Sequence, residues 1–193
     1  PARREEPVPP EWAHRVAFAT LPAEDSPTGR EVLLASVYGW PGGASAPAAR
    51  AATDELLEWV LEQLQGGPGD WVLAGDVNCP APMLQALQRR REAGQLWSVG
   101  DLGRAEGLPT YQAGEVSTVI DGVWCSPSMR GAWQDSQVVG VSRHGHLAVV
   151  VKFQGEAAER PRPAWYLPPA RGVLSPATWV SRRGEMRSFL QAA

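Results

Sequence analysis

The run Trp71-Val72-Leu73-Ala74-Gly75-Asp76-Val77-Asn78 constrains this chain more than any other stretch of it. Strand-favouring apolar residues end abruptly in Gly-Asp-x-Asn. Side chains two apart on a strand project to the same face, so Asp76 and Asn78 are expected together at a strand's C-terminal end. In α/β sheets, sites tend to lie at such ends. Two later segments repeat the device. Ser117-Thr118-Val119-Ile120-Asp121 brings a second carboxylate to a strand, and Ser142-Arg143-His144-Gly145-His146 sets two histidines just ahead of another apolar strand. Three polar clusters at strand edges on one short chain read as a catalytic constellation.

The chain around them has one domain's worth of material: 193 residues, 44% hydrophobic. A net charge of −3 gives no global basic field, which argues against a charge-driven nucleic-acid coat protein and leaves room for a local basic patch. Cys79 and Cys125 are too few for a disulfide framework and read as small core residues. No apolar run is long enough to span a bilayer, and no signal-peptide pattern opens the chain. The expectation is an intracellular protein of cytoplasm or nucleus.

Along the chain, residues 1–12 read as a Pro-rich lead-in, residues 13–153 as the domain, and residues 154–193 as a Pro/Arg-rich tail or linker. Residues 15–21 and 31–38 read as a hairpin with a long loop. A helix is predicted next, with Ser45 as N-cap, Pro47 in its first turn, and Leu56, Leu57, Val60, Leu61 and Leu64 as its buried stripe. A shorter helix from Pro80 to Gly94 is predicted to turn Met83, Leu84 and Leu87 inward. Strands and helices in alternation argue for an α/β layered sandwich.

The clusters, in their order, resemble the endonuclease/exonuclease/phosphatase family of metal-dependent phosphoesterases. That family's pattern is an apolar strand ending in Tyr, strand-GDxN, Thr followed by a strand with IDxx, and SDHxPV leading into a last strand. Here the matches are Val32–Tyr38, Gly75–Asn78, Pro109-Thr110-Tyr111, Ile120–Val123 and His146–Val149. The wording Ser117–Trp124 is most similar to endonuclease domains of retroelements. The resemblance implies a four-layer α/β sandwich, present in part, and Mg²⁺-dependent hydrolysis of a phosphodiester in nucleic acid. It assigns catalytic roles to Asp76, Asn78, Asp121 and His146, and a phosphate contact to Tyr38. Asp76 would orient or deprotonate the attacking water, and Asn78 would donate an amide hydrogen to a phosphoryl oxygen. Asp121 would pair with His146, fixing its tautomer and favouring its charged form.

The chain departs from that pattern twice. No apolar strand carrying the family's metal-binding Glu precedes Tyr38, so the chain is expected to be an N-terminally incomplete domain with an uncovered sheet face or edge, shielded in part by Trp165 and Trp179. With His146 as the motif histidine, Gly145 stands where the motif has Asp; with His144, Arg143 does. His146 is preferred, because Leu147-Ala148-Val149 then continues into the strand. Two rivals follow: a phosphatase of small phosphate esters, and a non-catalytic remnant of a retroelement endonuclease. The bland readings are turn-forming Asp and Asn after a strand, a hydrogen-bonded histidine pair, and a solvated helix face for Arg89-Arg90-Arg91.

Overall fold

The computed structural model describes residues 7–67, 69–100, 102–140 and 145–154. β1 (Val16–Leu21) and β2 (Val32–Tyr38) pair antiparallel, as the predicted hairpin. β2 alternates cleanly: Leu33, Ala35 and Val37 are buried, whereas Leu34, Ser36 and Tyr38 face outward. The buried side receives α1 (Pro47–Gln65), whose predicted stripe from Leu56 to Leu64 is buried in full. At about 2 kcal/mol for each large apolar side chain removed from water, that stripe is a main source of the domain's stability.

The helix starts differently from expectation. Ala46 occupies the N-cap position and makes no side-chain cap, while Ser45 Oγ donates to the Gly42 carbonyl at 3.4 Å. That carbonyl also accepts the Ser45 and Ala46 N–H groups, so the preceding turn closes on itself and takes the hydroxyl with it. Pro47 begins the helix without needing an N–H partner.

α1 returns the chain so that β3 (Asp70–Asp76) lies parallel to β2, a pairing that requires such a crossover. α2 (Gln85–Glu92) follows, its Ala86 N–H capped by Asp54 of α1 at 2.8 Å. Met83, predicted inward, is instead 41% exposed. The expected single helix is broken into a 3₁₀ turn, Ala81–Met83, and α2, with an extended Leu84 between them that shifts the phase. Leu84 and Leu87 are buried as expected.

β4 (Trp97–Ser98), the β5 (Tyr111–Ala113) and β6 (Val116–Thr118) hairpin, and β7 (Asp121–Cys125) come next. The main sheet has the order β1-β2-β3-β7-β4. β8 (Trp133–Val139) and β9 (Ala148–Phe153) form a separate hairpin. Trp133, Val149, Val151 and Phe153 pack with Val72, Val123 and Cys125 in a second core, on the sheet face opposite the helices. The architecture is an α/β sandwich of helices, five-stranded sheet and second β layer. Both described α-helices lie on the first face, so the fourth layer is not among the described residues.

The β8–β9 layer leaves the outer row of β2 uncovered beyond the buried Val32, with Leu34 36% and Tyr38 46% exposed. Among the described residues β9 pairs only with β8. The shielding expected of Trp165 and Trp179 falls outside the described residues. Of the lead-in, Trp12 is packed against Trp59 with ring centroids 5.5 Å apart, an aromatic anchor that ties this part to the core.

At the end of β3 remote from Gly-Asp-x-Asn, Asp70 is 1% exposed and fully partnered. It accepts from Thr28 Oγ1 and Arg30 Nη2, both at 2.6 Å, and from the Ser126 and Ser128 hydroxyls. Burial alone would raise its pKa, but bonds from Ser128, Thr28 and Arg30 outweigh it and the net shift is downward. The sign is then fixed: the contribution is fully present above the unfolded value of 3.8 and is lost as pH falls through the lower folded value. Asp70→Ala is expected to cost about 3 kcal/mol, since it strands buried donors. Chemical denaturation at pH 7 measures that loss, and the variant's stability should be flatter than the parent's below pH 4.

Candidate active site

The β ladder sets the site. Tyr38 of β2 lies opposite Asp76 of β3, and Asp76 lies opposite Asp121 of β7. Cross-strand partners share a face, so these three polar side chains form one row on the face away from the helices. The pairing runs on past the row: Gly39 N–H donates to Asp76 O, and Val77 N–H to Ile120 O, each at 2.8 Å. Gly75 allows β2 and β3 to approach this closely, because a Cβ there would stand 2.0 Å from the Val37 carbonyl oxygen.

Asp121 opens β7 rather than lying inside a strand, and Thr110 explains why. The Thr110 hydroxyl, 1% exposed, accepts the Ile120 and Asp121 N–H groups at 3.0 and 2.9 Å. Its carbonyl accepts the Leu147 N–H at 2.7 Å. One buried threonine therefore holds the segments that carry both Asp121 and His146. The Pro109-Thr110-Tyr111 match pointed to it without a role; an isolated Thr gives no sequence signal of double acceptance.

His146 is delivered by an isolated bridge to Tyr111, and the Tyr111 ring meets the imidazole edge-on at 4.9 Å. Its Nδ1 lies 3.2 Å from Asp121 Oδ2, and its Nε2 lies 3.8 Å from Asp76 Oδ2. His146, Asp121 and Asp76 thus converge, in the register that makes His146 the motif histidine. His144 lies outside the described residues. Asn78 does not stand on the strand beside Asp76, because its backbone turns left-handed at φ 51°. It is tied to the row instead: its N–H donates to Asp76 Oδ1 at 2.8 Å and its Nδ2 to the Gly39 carbonyl at 3.1 Å. Tyr38 sits on the exposed rim. Arg89 and Arg90 both pair with Glu58 on the helical face.

Two carboxylates brought together in a half-buried place repel. The Asp76 pKa lies above the usual aspartate value: burial raises it most, the Asn78 N–H opposes, the Asp121 charge raises it further, and His146 opposes. The three side chains border an open cleft of about 500 Å³ whose other walls include Leu147, Ala148 and Val149. Their ligand atoms all lie within 4.8 Å of one another, a cluster able to hold a metal ion.

Gly145 makes the departure from the family pattern structural. Its φ is 87°, a left-handed conformation, and a Cβ there would stand 2.5 Å from the Gln112 carbonyl oxygen. Gln112 N–H donates back to Gly145 O at 2.7 Å, which pins the approach. An aspartate does not fit this backbone.

Neither family models nor curated proteins give a match to the sequence. Solved structures do. A 3'-5' exonuclease, NExo, from Neisseria meningitidis superposes with TM-score 0.55 at 22% identity, covering 72% of this chain and 65% of that one. The fold is that of the endonuclease/exonuclease/phosphatase family. The Xenopus laevis APE2 catalytic domain gives 0.53 at 18% identity over 76% of this chain and 58% of its own. A Bacteroides thetaiotaomicron mannosyl-6-phosphatase gives 0.51 at 18% identity over 71% and 55%. The chain therefore spans less than two thirds of each of these structures. At such identities the likeness is one of fold, and it embraces both an exonuclease and a phosphatase.

Two outcomes follow from the electrostatics and the backbone. Asp76→Asn, measured with EDTA present, should raise the melting temperature at pH 7. The raised pKa means that ionising Asp76 costs the folded state stability, so the gain should fade as pH drops below 3.8, where the parent is protonated folded and unfolded alike. Gly145→Asp should lower the melting temperature and leave hydrolytic activity no higher, against the simple view that one carboxylate completes the motif.

Proposed function

We propose that this chain performs divalent-metal-dependent hydrolysis of phosphodiesters in nucleic acid. The observation that carries the reading is the meeting of Asp76, Asp121 and His146 at one open cleft. Phosphodiester hydrolysis needs an oriented water, neutralised phosphoryl oxygens and a stabilised leaving oxygen. Asp76, backed by the Asn78 N–H, presents Oδ2 toward the cleft and orients the water.

His146 donates from Nδ1 to Asp121, the tautomer that turns Nε2 toward Asp76 and the cleft. When protonated it places positive charge against the phosphoryl oxygens, and Asp121 compensates that charge. Tyr38, exposed on the same row, offers its hydroxyl to the phosphate. The remaining Asn78 amide hydrogen serves the same group, the other being held by Gly39.

The donor set fits a divalent cation through its carboxylates. Asp76 and Asp121 would hold Mg²⁺ by oxygen, with water filling the other positions from the open cleft. Bound there, the cation would neutralise phosphate charge and polarise its oxygens.

A second reading, a non-catalytic remnant, is favoured by Gly145, where the motif's carboxylate is sterically barred. The phosphatase and retroelement-endonuclease readings share the same site and differ in substrate. A plasmid-nicking assay decides between catalyst and remnant. Nicking should require Mg²⁺, stop with EDTA, and fall by about 10²-fold or more in His146→Ala and in Asp76→Asn. Metal-independent nicking, or nicking that persists in both variants, would overturn the reading.

A further inference from the structure

The polar row does not stop at Tyr38. Tyr38 N–H donates to Arg15 O at 2.8 Å, so Arg15 stands next in register, just before β1. Val16 points into the helical core, which sends Arg15 to the side of Tyr38. Its guanidinium lies 4.2 Å from the Trp40 ring centroid and 5.5 Å from that of Tyr38. Nη1 donates to the Tyr38 and Gly39 carbonyls at 3.3 and 3.1 Å. The Gly39 carbonyl also accepts from Asn78, so the cation is fixed by the same peptide that anchors the Asp76 turn.

We propose that Arg15 binds the phosphate of a nucleotide flanking the scissile one, on a path that runs across β3, β2 and β1; this rests on the phosphodiesterase reading above. The row carries its negative charges at one end, Asp76 and Asp121, and a cation at the other. Strands lie about 4.8 Å apart, so the Arg15 backbone stands about 10 Å from that of Asp76 along the row, while its guanidinium reaches back to the Gly39 carbonyl. A lone phosphate ester held between Asp76 and His146, on the β7 side of the row, need not reach it. A polynucleotide does, because it carries a charge at every step. Among the described residues nothing in the second layer roofs this path: Ala17, Ser36 and Tyr38 are all exposed. Tyr38 between the two phosphates offers a ring for a base. A guanidinium has five donors, and the two carbonyls engage Nη1 alone, leaving the others to a phosphate. Stacking on Trp40 holds it in place without neutralising it.

The competing account is that Arg15 only staples two loop carbonyls. The test measures binding of a labelled single-stranded oligonucleotide by fluorescence anisotropy across a salt series, in EDTA, for the parent, Arg15→Ala, Arg15→Lys and Arg104→Ala. Arg104 is a surface cation paired with Asp135, and serves as the control for charge removal elsewhere. The expected result is several-fold weaker binding for Arg15→Ala and a salt slope smaller by about 0.7, the value of one single-strand phosphate contact. Arg15→Lys should keep the parent slope, Arg104→Ala should keep both slope and affinity, and a competing mononucleotide should bind parent and Arg15→Ala alike. Matched circular dichroism and melting curves check that each variant is folded. An Arg15→Ala slope equal to that of the parent overturns the Arg15 assignment alone. Equal losses for mononucleotide and oligonucleotide place Arg15 on the reacting phosphate and overturn the flanking path. A parent that binds no strand overturns this proposal together with the nucleic-acid reading.

Discussion

Asp76 and Asp121 face each other across adjacent strands, and everything else at the site answers to that juxtaposition. Two carboxylates in one half-buried place are unfavourable unless something of opposite charge or fixed dipole attends them. Two attendants are built in: the Asn78 N–H on Asp76 and the imidazole of His146 against both, while the Thr110 hydroxyl secures the Asp121 backbone. The ladder supplies the force that holds the carboxylates together. The cost falls on the folded state, and the product is a cluster of ligand atoms able to hold a metal ion.

The two ends of β3 show opposite solutions to a buried or half-buried aspartate. Asp70, at the start, is surrounded by hydroxyls and a guanidinium, and its pKa is driven down. Asp76, at the finish, is half-buried beside a like-charged neighbour, and one N–H and the His146 imidazole do not offset this, so its pKa is driven up. The first arrangement is a fastening. The second leaves the charge incompletely satisfied by the protein alone. One seven-residue strand thus carries two carboxylates shifted in opposite directions, and only their surroundings tell them apart.

The sheet also explains why the site is open. β8 and β9 pack over β3 and β7 and seal the second core there, yet the outer row of β2 remains exposed from Leu34 to Tyr38. The cleft beside Asp76 and Asp121 is walled on one side by Ala148 and Val149 of β9. The same openness leaves apolar surface at Leu34, which in other settings invites association.

Much of this was legible along the chain. Period-two alternation in β2, the helical stripe from Leu56 to Leu64 and the strand-GDxN run determined their elements locally, because side-chain periodicity and burial are properties of short segments. The ordered polar clusters marked Asp76, Asp121 and His146, and the approach of each to a strand end. Other features depended on partners distant in sequence. Ser45 lost its capping role to a turn that closed on Gly42, Met83 lost its burial to a phase shift at Leu84, and Asn78 left the strand for a left-handed turn. The double acceptance by Thr110, the steric bar at Gly145 and the placement of Arg15 beside Tyr38 arise where separate strands meet. Sequence by itself determined which residues could carry chemistry and which faces would be buried. Tertiary structure alone decided which of them touch, since register across β1, β2, β3 and β7 is set by pairing between segments that local pattern cannot see.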